Sequence, residues 1–190
     1  MPGLLRLGNI VGAGGMALVL LIGFVLQITR NELPCPLCNL QRVGFVLCGF
    51  GFLLNLRFGS QPVHYGLTLI GALFGLAGSS RQVLLHIVPG TGAYGSAVFG
   101  LHFYSWALIL FLAVIAGVAL LMILAGAGRV EHARFGAHAD EQFGGLSKAA
   151  AYFLIIMTLA NAVGTFVECG PLECPDNPTT YWLLTRLGLG

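Results

Sequence analysis

Five long apolar runs, separated by short segments rich in Pro, Gly or charge, dominate the chain. They predict membrane-crossing helices over residues 10–28, 40–56, 63–88, 101–125 and 148–167, because a helix needs roughly 20 predominantly apolar residues to cross a bilayer. The first run follows a short head bearing Arg6. It exceeds the length of a signal-peptide core, and Thr29-Arg30-Asn31-Glu32 after it is not a small-residue cleavage site, so it reads as a retained helix. Arg57-Phe58-Gly59-Ser60-Gln61-Pro62 marks a turn, and residues 89–96 are turn-rich by their Gly and Pro content. Residues 126–145, with Arg129, Glu131, His132, Arg134, His138, Asp140 and Glu141, form the most polar internal loop, after which Lys148 opens the fifth run. His102, Tyr104 and Trp106 fit an interfacial belt. Beyond the fifth run lies a tail, residues 168–190, whose Tyr181–Leu187 stretch is too short to span. It either lies in the interface, folding the tail back toward the first loop, or frays as a terminus.

Composition agrees with this pattern. Of the 190 residues 57% are hydrophobic and 8% charged, with a mean hydropathy of +0.88, whereas soluble domains carry about 25% charged residues. The expected architecture is one all-α, polytopic membrane bundle, a four-helix core plus a fifth transmembrane helix. The net charge of +2 is scattered, without a basic block or interleaved aromatic patch, which excludes a nucleic-acid partner and leaves lipid as the surrounding phase.

Strict alternation of five spans puts the loop after the first and the tail after the fifth on one membrane face. Placing Arg6, Arg57, Arg129, Arg134 and Lys148 inside, against Arg30, Arg42, Arg81 and Arg186 outside, turns that face outward by the positive-inside rule. Both close cysteine pairs, Cys35/Cys38 and Cys169/Cys174, belong to it. The fifth cysteine, Cys48, lies within an apolar run and reads as a small buried hydrophobe.

Thiol exchange needs an attacking thiolate, a disulfide to receive it and a second thiol to resolve the mixed species. Cys35-Pro36-Leu37-Cys38 supplies two sulfurs at C-x-x-C spacing, at a helix N-terminus that favours a thiolate. Arg42, four residues on, shares a helix face with Cys38. An arginine at the edge of a membrane is costly and marks function: it lowers the thiolate pKa and polarises the carbonyl of a quinone, or else it snorkels to the headgroups. In the third run Ser79, Gln82 and His86 share one face with Arg81 adjacent. Arg81 and His86 are expected to contact the quinone, the alternative being a helix end reaching the polar interface. His64, His132 and His138 read as loop or headgroup residues, and His102 as interfacial.

The run Cys35-Pro36-Leu37-Cys38-Asn39-Leu40-Gln41-Arg42 resembles the C-x-x-C-x-x-x-R signature of the disulfide bond formation protein B (DsbB) family, placed, as in that family, between the first two membrane helices. Arg81-Gln82-Val83-Leu84-Leu85-His86-Ile87-Val88-Pro89 is similar to the polar outer end of the family's third helix. The resemblance covers roughly the first hundred residues and the fourth helix loosely. It implies a bacterial inner-membrane enzyme that reoxidises a soluble, periplasmic, thioredoxin-like DsbA dithiol oxidase and passes the electrons to ubiquinone or menaquinone. One departure matters. The family's second cysteine pair lies between helices three and four, where residues 89–100 hold no cysteine. Cys169 and Cys174 are expected to replace it as the shuttle disulfide, and a static disulfide tying down the tail is the alternative. Three other classes compete: a Cys₄ zinc site, whose C-x₄-C half is at the edge of the usual range and faces a repelling Arg42; a scaffold or transporter with two structural disulfides; and the vitamin K epoxide reductase class, whose C-x-x-C sits late in the bundle.

Overall fold

The structure, a computed structural model, describes residues 2–88, 90–127, 143–171, 173–176 and 178–188. The charged loop residues Arg129, Glu131, His132, Arg134, His138, Asp140 and Glu141 lie outside the described residues, as does Pro89 of the turn-rich connection. The elements are α1 (Pro2–Arg30), α2 (Pro36–Phe58), α3 (Pro62–His86), a two-stranded hairpin of β1 (Ala97–Val98) and β2 (Leu101–His102), α4 (Phe103–Ala127), α5 (Leu146–Cys169) and a short α6 (Trp182–Arg186). The five long helices are each long and apolar enough to cross a membrane, and the chain is an all-α, multi-pass membrane bundle.

The helices outrun the apolar runs at several ends because polar residues there find partners inside the bundle. α1 begins well before residue 10, and Arg6 donates from Nε to Ser147 Oγ (3.1 Å) and from Nη2 to the Gly144 carbonyl (3.2 Å). One turn on, Asn9 donates to Ser60 Oγ and the Tyr65 hydroxyl and accepts from Asn55 Nδ2 (3.0 Å); Asn55 in turn takes the Gln61 N–H (2.9 Å). Asn9, Asn55 and Tyr65 are buried, so this network joins α1, α2 and α3 at the end of the bundle away from Cys35. In an apolar phase it satisfies groups that lipid cannot.

α2 and α3 touch backbone to backbone. A Cβ on Gly44 would lie 2.8 Å from Gly75 Cα, and one on Gly71 would lie 2.9 Å from Cys48 N. Small residues permit this approach, which is how membrane helices pack when no hydrophobic effect separates them from lipid. Phe111 of α4 fills the space above Gly75 and stacks on Phe45 of α2, ring centroids 4.2 Å apart. Cys48 is fully buried here, its thiol aimed at the Thr68 carbonyl (3.5 Å), as expected of a small core residue.

The connection after α3 is more structured than its Gly and Pro content suggests. The hairpin turns through Phe99 (φ 51) and Gly100 (φ 81), two left-handed positions in a row. The first is normally Asn, Asp or Gly, and an aromatic there stores backbone strain. Tyr104 is buried rather than belted at the interface, while Trp106 ties to the hairpin through Nε1–H to the Val98 carbonyl (2.9 Å).

Two stability measurements check this packing. Gly44→Val should lower the midpoint of thermal unfolding in detergent, at a cost of roughly 1–3 kcal/mol for overpacking; an unchanged midpoint contradicts the close crossing. Phe99→Asn should raise it by relieving about 1 kcal/mol of strain, and a lowered midpoint contradicts the turn.

Candidate functional site

The site is built around the start of α2. Cys35 is the N-cap, its backbone extended (φ −69°, ψ 164°), with Pro36 opening the helix where no N–H is needed. The Cys38 N–H, one of the helix's orphan donors, points at Cys35 Sγ (3.2 Å). The two cysteines form a disulfide with Cα atoms 5.0 Å apart. The helix N-terminus therefore directs its positive end at the sulfurs.

Gln82 of α3 completes the cradle. Its Nε2 lies 3.3 Å from Cys35 Sγ and 3.6 Å from Cys38 Sγ, and its Oε1 accepts from Gln41 Nε2 at 2.7 Å. Both glutamines are buried. Arg42 lies one turn below Cys38, as the four-residue spacing requires, and is turned inward rather than snorkelling. Its Nη1 donates to Gln27 Oε1 (2.9 Å) and its Nη2 to the Gly23 carbonyl (3.2 Å), both on α1.

Cys38, Gln41, Arg42 and Gln82 share the wall of a cavity of about 420 Å³ between α1, α2 and α4. Its remaining lining is largely apolar, with Leu26, Phe45 and Ala107 on the helices and Phe99 of the hairpin at its edge. A lid of two bonded loop segments borders the cavity. Tyr94 donates to the Leu33 carbonyl (2.6 Å), and Glu32 accepts from the Ser96 N–H (3.2 Å) and from its hydroxyl. Asn31 (φ 53) ends α1 in the left-handed conformation that Asn tolerates and swings the chain into this lid.

Arg81 and His86 do not line the cavity. Arg81 is exposed. His86 points its Nδ1 to the Gly92 carbonyl (3.2 Å) and sits 5.3 Å from the Tyr104 ring, which does line the cavity. On the polar stripe of α3 it is Gln82 that reaches the sulfurs, while Ser79 bonds back to the Gly75 carbonyl (2.8 Å).

The second pair is at the same end of the molecule. Cys169, the last residue of α5, is bonded to Cys174, Cα atoms 4.8 Å apart. Gly170 (φ 65) turns the chain back, and Trp182 of α6 packs so closely upon it that a Cβ would meet the indole at 2.6 Å. The tail is thereby folded against α5. Asn39, immediately after Cys38, has its Nδ2 3.7 Å from Cys174 Sγ and its Oδ1 3.4 Å from Thr165 Oγ1. The residue that follows Cys38 in the chain is thus in contact with the second cysteine pair. Sequence reasoning passed over it and Gln41, although both lie inside the C-x-x-C-x-x-x-R run. Glu168 is also new to the site: it is 1% exposed, next to Cys169, and its carboxyl has no hydrogen-bond partner among the described residues.

Tyr94 lies in the electrostatic field of this site. Burial pushes its hydroxyl above the ordinary tyrosine value, and the charges of Glu168 and Glu32 push it further the same way. The folded state thus holds this proton more tightly than the unfolded chain. Stability is full below the ordinary tyrosine value of about 10 and falls as pH rises toward that of Tyr94. An ultraviolet titration should show a late-ionising phenol that Tyr94→Phe removes; loss of an ordinary phenol instead contradicts the placement.

Comparison with known proteins agrees with the motif. Residues 6–95 match the family model described as "Disulfide bond formation protein DsbB". Among curated relatives, the disulfide bond formation protein B of Nitrosomonas eutropha is 37% identical over 75 residues, 36% of this chain and 46% of that protein. That of Hahella chejuensis is 36% identical over 80 residues (39% and 48%), and that of Chromohalobacter salexigens 30% over 89 residues (44% and 52%). The chain spans about half the length of the curated relatives it matches. No solved structure matches it significantly. The family match stops before the tail, so it does not reach Cys169 and Cys174. Over α1 to α3, with the Cys35–Cys38 disulfide between the first two helices, this chain is similar to the disulfide bond formation protein B family.

Proposed function

We propose that this protein is a membrane thiol:quinone oxidoreductase that regenerates a soluble, thioredoxin-like dithiol oxidase of the DsbA kind, with ubiquinone or menaquinone as electron acceptor. The observation that carries this reading is a C-x-x-C disulfide at a helix N-terminus, sharing the wall of an apolar cavity with a half-buried, inward-turned arginine. A cavity with largely apolar walls and a few convergent polar groups suits a flat, lipid-soluble head group. Gln41, Arg42 and Gln82 are the residues that would hold it, with Phe45 and Ala107 against its apolar faces. A bound quinone supplies an acceptor for two electrons and two protons.

The chain's own residues do the rest. Arg42 provides a fixed positive charge one turn from Cys38, where negative charge develops when the disulfide opens. The α2 N-terminus stabilises the same thiolate. Gln82, locked by Gln41, holds both sulfurs in one orientation. The Tyr94–Leu33 and Ser96–Glu32 contacts hold two loop segments together beside the cavity.

In this reading the tail disulfide Cys169–Cys174 receives the donor's electrons and hands them to Cys35–Cys38. Asn39 supports it through its contact with Cys174, and the placement of both pairs at one end permits short transfer. In the sequence, Arg129 and Arg134 of the loop before α5 join Arg6, Arg57 and Lys148, five basic residues against Arg30, Arg42, Arg81 and Arg186 toward the cysteine end, and this excess supports a cysteine end on the periplasmic side of a bacterial inner membrane. Arg81 and His86 enter only indirectly, His86 through its contact with Tyr104.

Two variants test the assignment. Arg42→Ala should lower the rate of quinone reduction by the dithiol-reduced protein about 100-fold or more, in the range for losing one preorganised electrostatic contact; an unchanged rate removes Arg42 from the site. Cys169→Ser should abolish oxidation of the soluble donor while quinone still closes the Cys35–Cys38 disulfide. If donor oxidation survives, the tail disulfide is structural.

A further inference from the structure

Glu168 is the strongest unexplained feature of the molecule. It is 1% exposed, both carboxyl oxygens are buried, and neither has a hydrogen-bond partner among the described residues. A buried carboxylate without partners is costly, and such a group is retained where a charge or a proton is used. Its surroundings are specific. Cys169 follows it in the chain, and Arg42 of α2 interacts with it electrostatically. Arg42 has bonds to Gln27 and Gly23 that both end on neutral oxygens, and among the described residues no carboxylate is hydrogen-bonded to it. Tyr94 of the loop after α3 also interacts with it electrostatically, and Tyr181 of the tail with Arg42. Glu168 is thus at the cysteine end of the bundle, next to Cys169 in the chain and in the field of the arginine one turn from Cys38.

Electron transfer between two disulfides is also proton transfer. When the Cys169 and Cys174 thiols reduce the Cys35–Cys38 bond, one S–S bond forms and one breaks. Two electrons leave the tail pair, and the two protons of its thiols must reappear on Cys35 and Cys38. Each attack needs a thiol deprotonated, and each leaving thiolate needs a proton returned.

We propose that Glu168 is the proton carrier of this exchange, accepting a proton from the attacking tail thiol and returning it to the sulfur released at the Cys35–Cys38 pair. Arg42 then has a second task, as the counter-charge of the Glu168 carboxylate between transfers. The inference rests on the relay reading of the tail disulfide. Its geometry is independent of any quinone, since both reacting disulfides belong to this chain.

The test uses the full chain in detergent without quinone. The tail pair is reduced by a stoichiometric thioredoxin-like dithiol protein, and the arrival of electrons at Cys35 and Cys38 is followed by alkylation and mass spectrometry across pH. Glu168→Gln should slow this internal exchange by about 100-fold, the usual worth of general acid–base catalysis. It should also remove one ionisation from the rate–pH profile, and Glu168→Asp should restore both in part. Coincident rates and profiles for wild type and Glu168→Gln overturn the inference and leave the relay standing. If the wild type reduces its tail pair but passes nothing to Cys35 and Cys38, the relay and this inference fall together. A readout on the unaltered protein guards against a variant that does not fold: time-resolved infrared spectra taken during the exchange should show a buried carboxyl gaining and then losing a proton, and the absence of that transient overturns the proposal.

Discussion

A permanent positive charge held inside an apolar bundle is the constraint from which the rest of this site follows. A guanidinium at this depth is tolerated only if its donors are met, and Arg42 meets them on α1, at Gln27 and the Gly23 carbonyl. Those bonds fix the rotation of α2 against α1. With that rotation set, Cys38 and Gln41 face the same cavity, and Gln82 can reach across from α3 to both sulfurs. The glycine crossing of α2 and α3 sets the depth of this contact, since Gly44 and Gly75 let the helix backbones meet below the disulfide. Packing and chemistry are thus one arrangement, and moving the arginine would disturb both.

The second disulfide depends on the same geometry from the other side. α5 ends where α2 begins, and a left-handed Gly170 reverses the chain so that Trp182 packs on it. The Cys169–Cys174 loop is then brought to Asn39, the residue after Cys38. The connection between α3 and α4 forms a hairpin at the edge of the cavity. The fifth long helix carries the second cysteine pair to the same end of the bundle as the first, together with the buried carboxyl of Glu168.

Much of this was legible in the sequence, for physical reasons. Apolar run length determines a spanning helix almost directly, so five spans appeared with little ambiguity. The four-residue step from Cys38 to Arg42 determines a shared helix face, and alternation of spans determines that the two cysteine pairs share an end. Helix ends were less legible, because Arg6 and Asn9 lengthen α1 by finding partners more than fifty residues away in sequence. The stripe on α3 was visible, but its periodicity could not say which member turns inward: Gln82 does, while Arg81 is exposed and His86 turns to Gly92 and Tyr104. Asn39 and Glu168 carry no local signal at all. Their positions acquire meaning only once α5 packs beside α2.

The central claim is that both disulfides belong to one electron path ending in a quinone, and counting electrons tests it most directly. Protein reduced at all four thiols of the two pairs, freed of reductant and mixed with excess short-chain quinone, should form two equivalents of hydroquinone per chain, with both disulfides closed. A single equivalent, with Cys35–Cys38 closed and Cys169 and Cys174 left as thiols, would contradict the account.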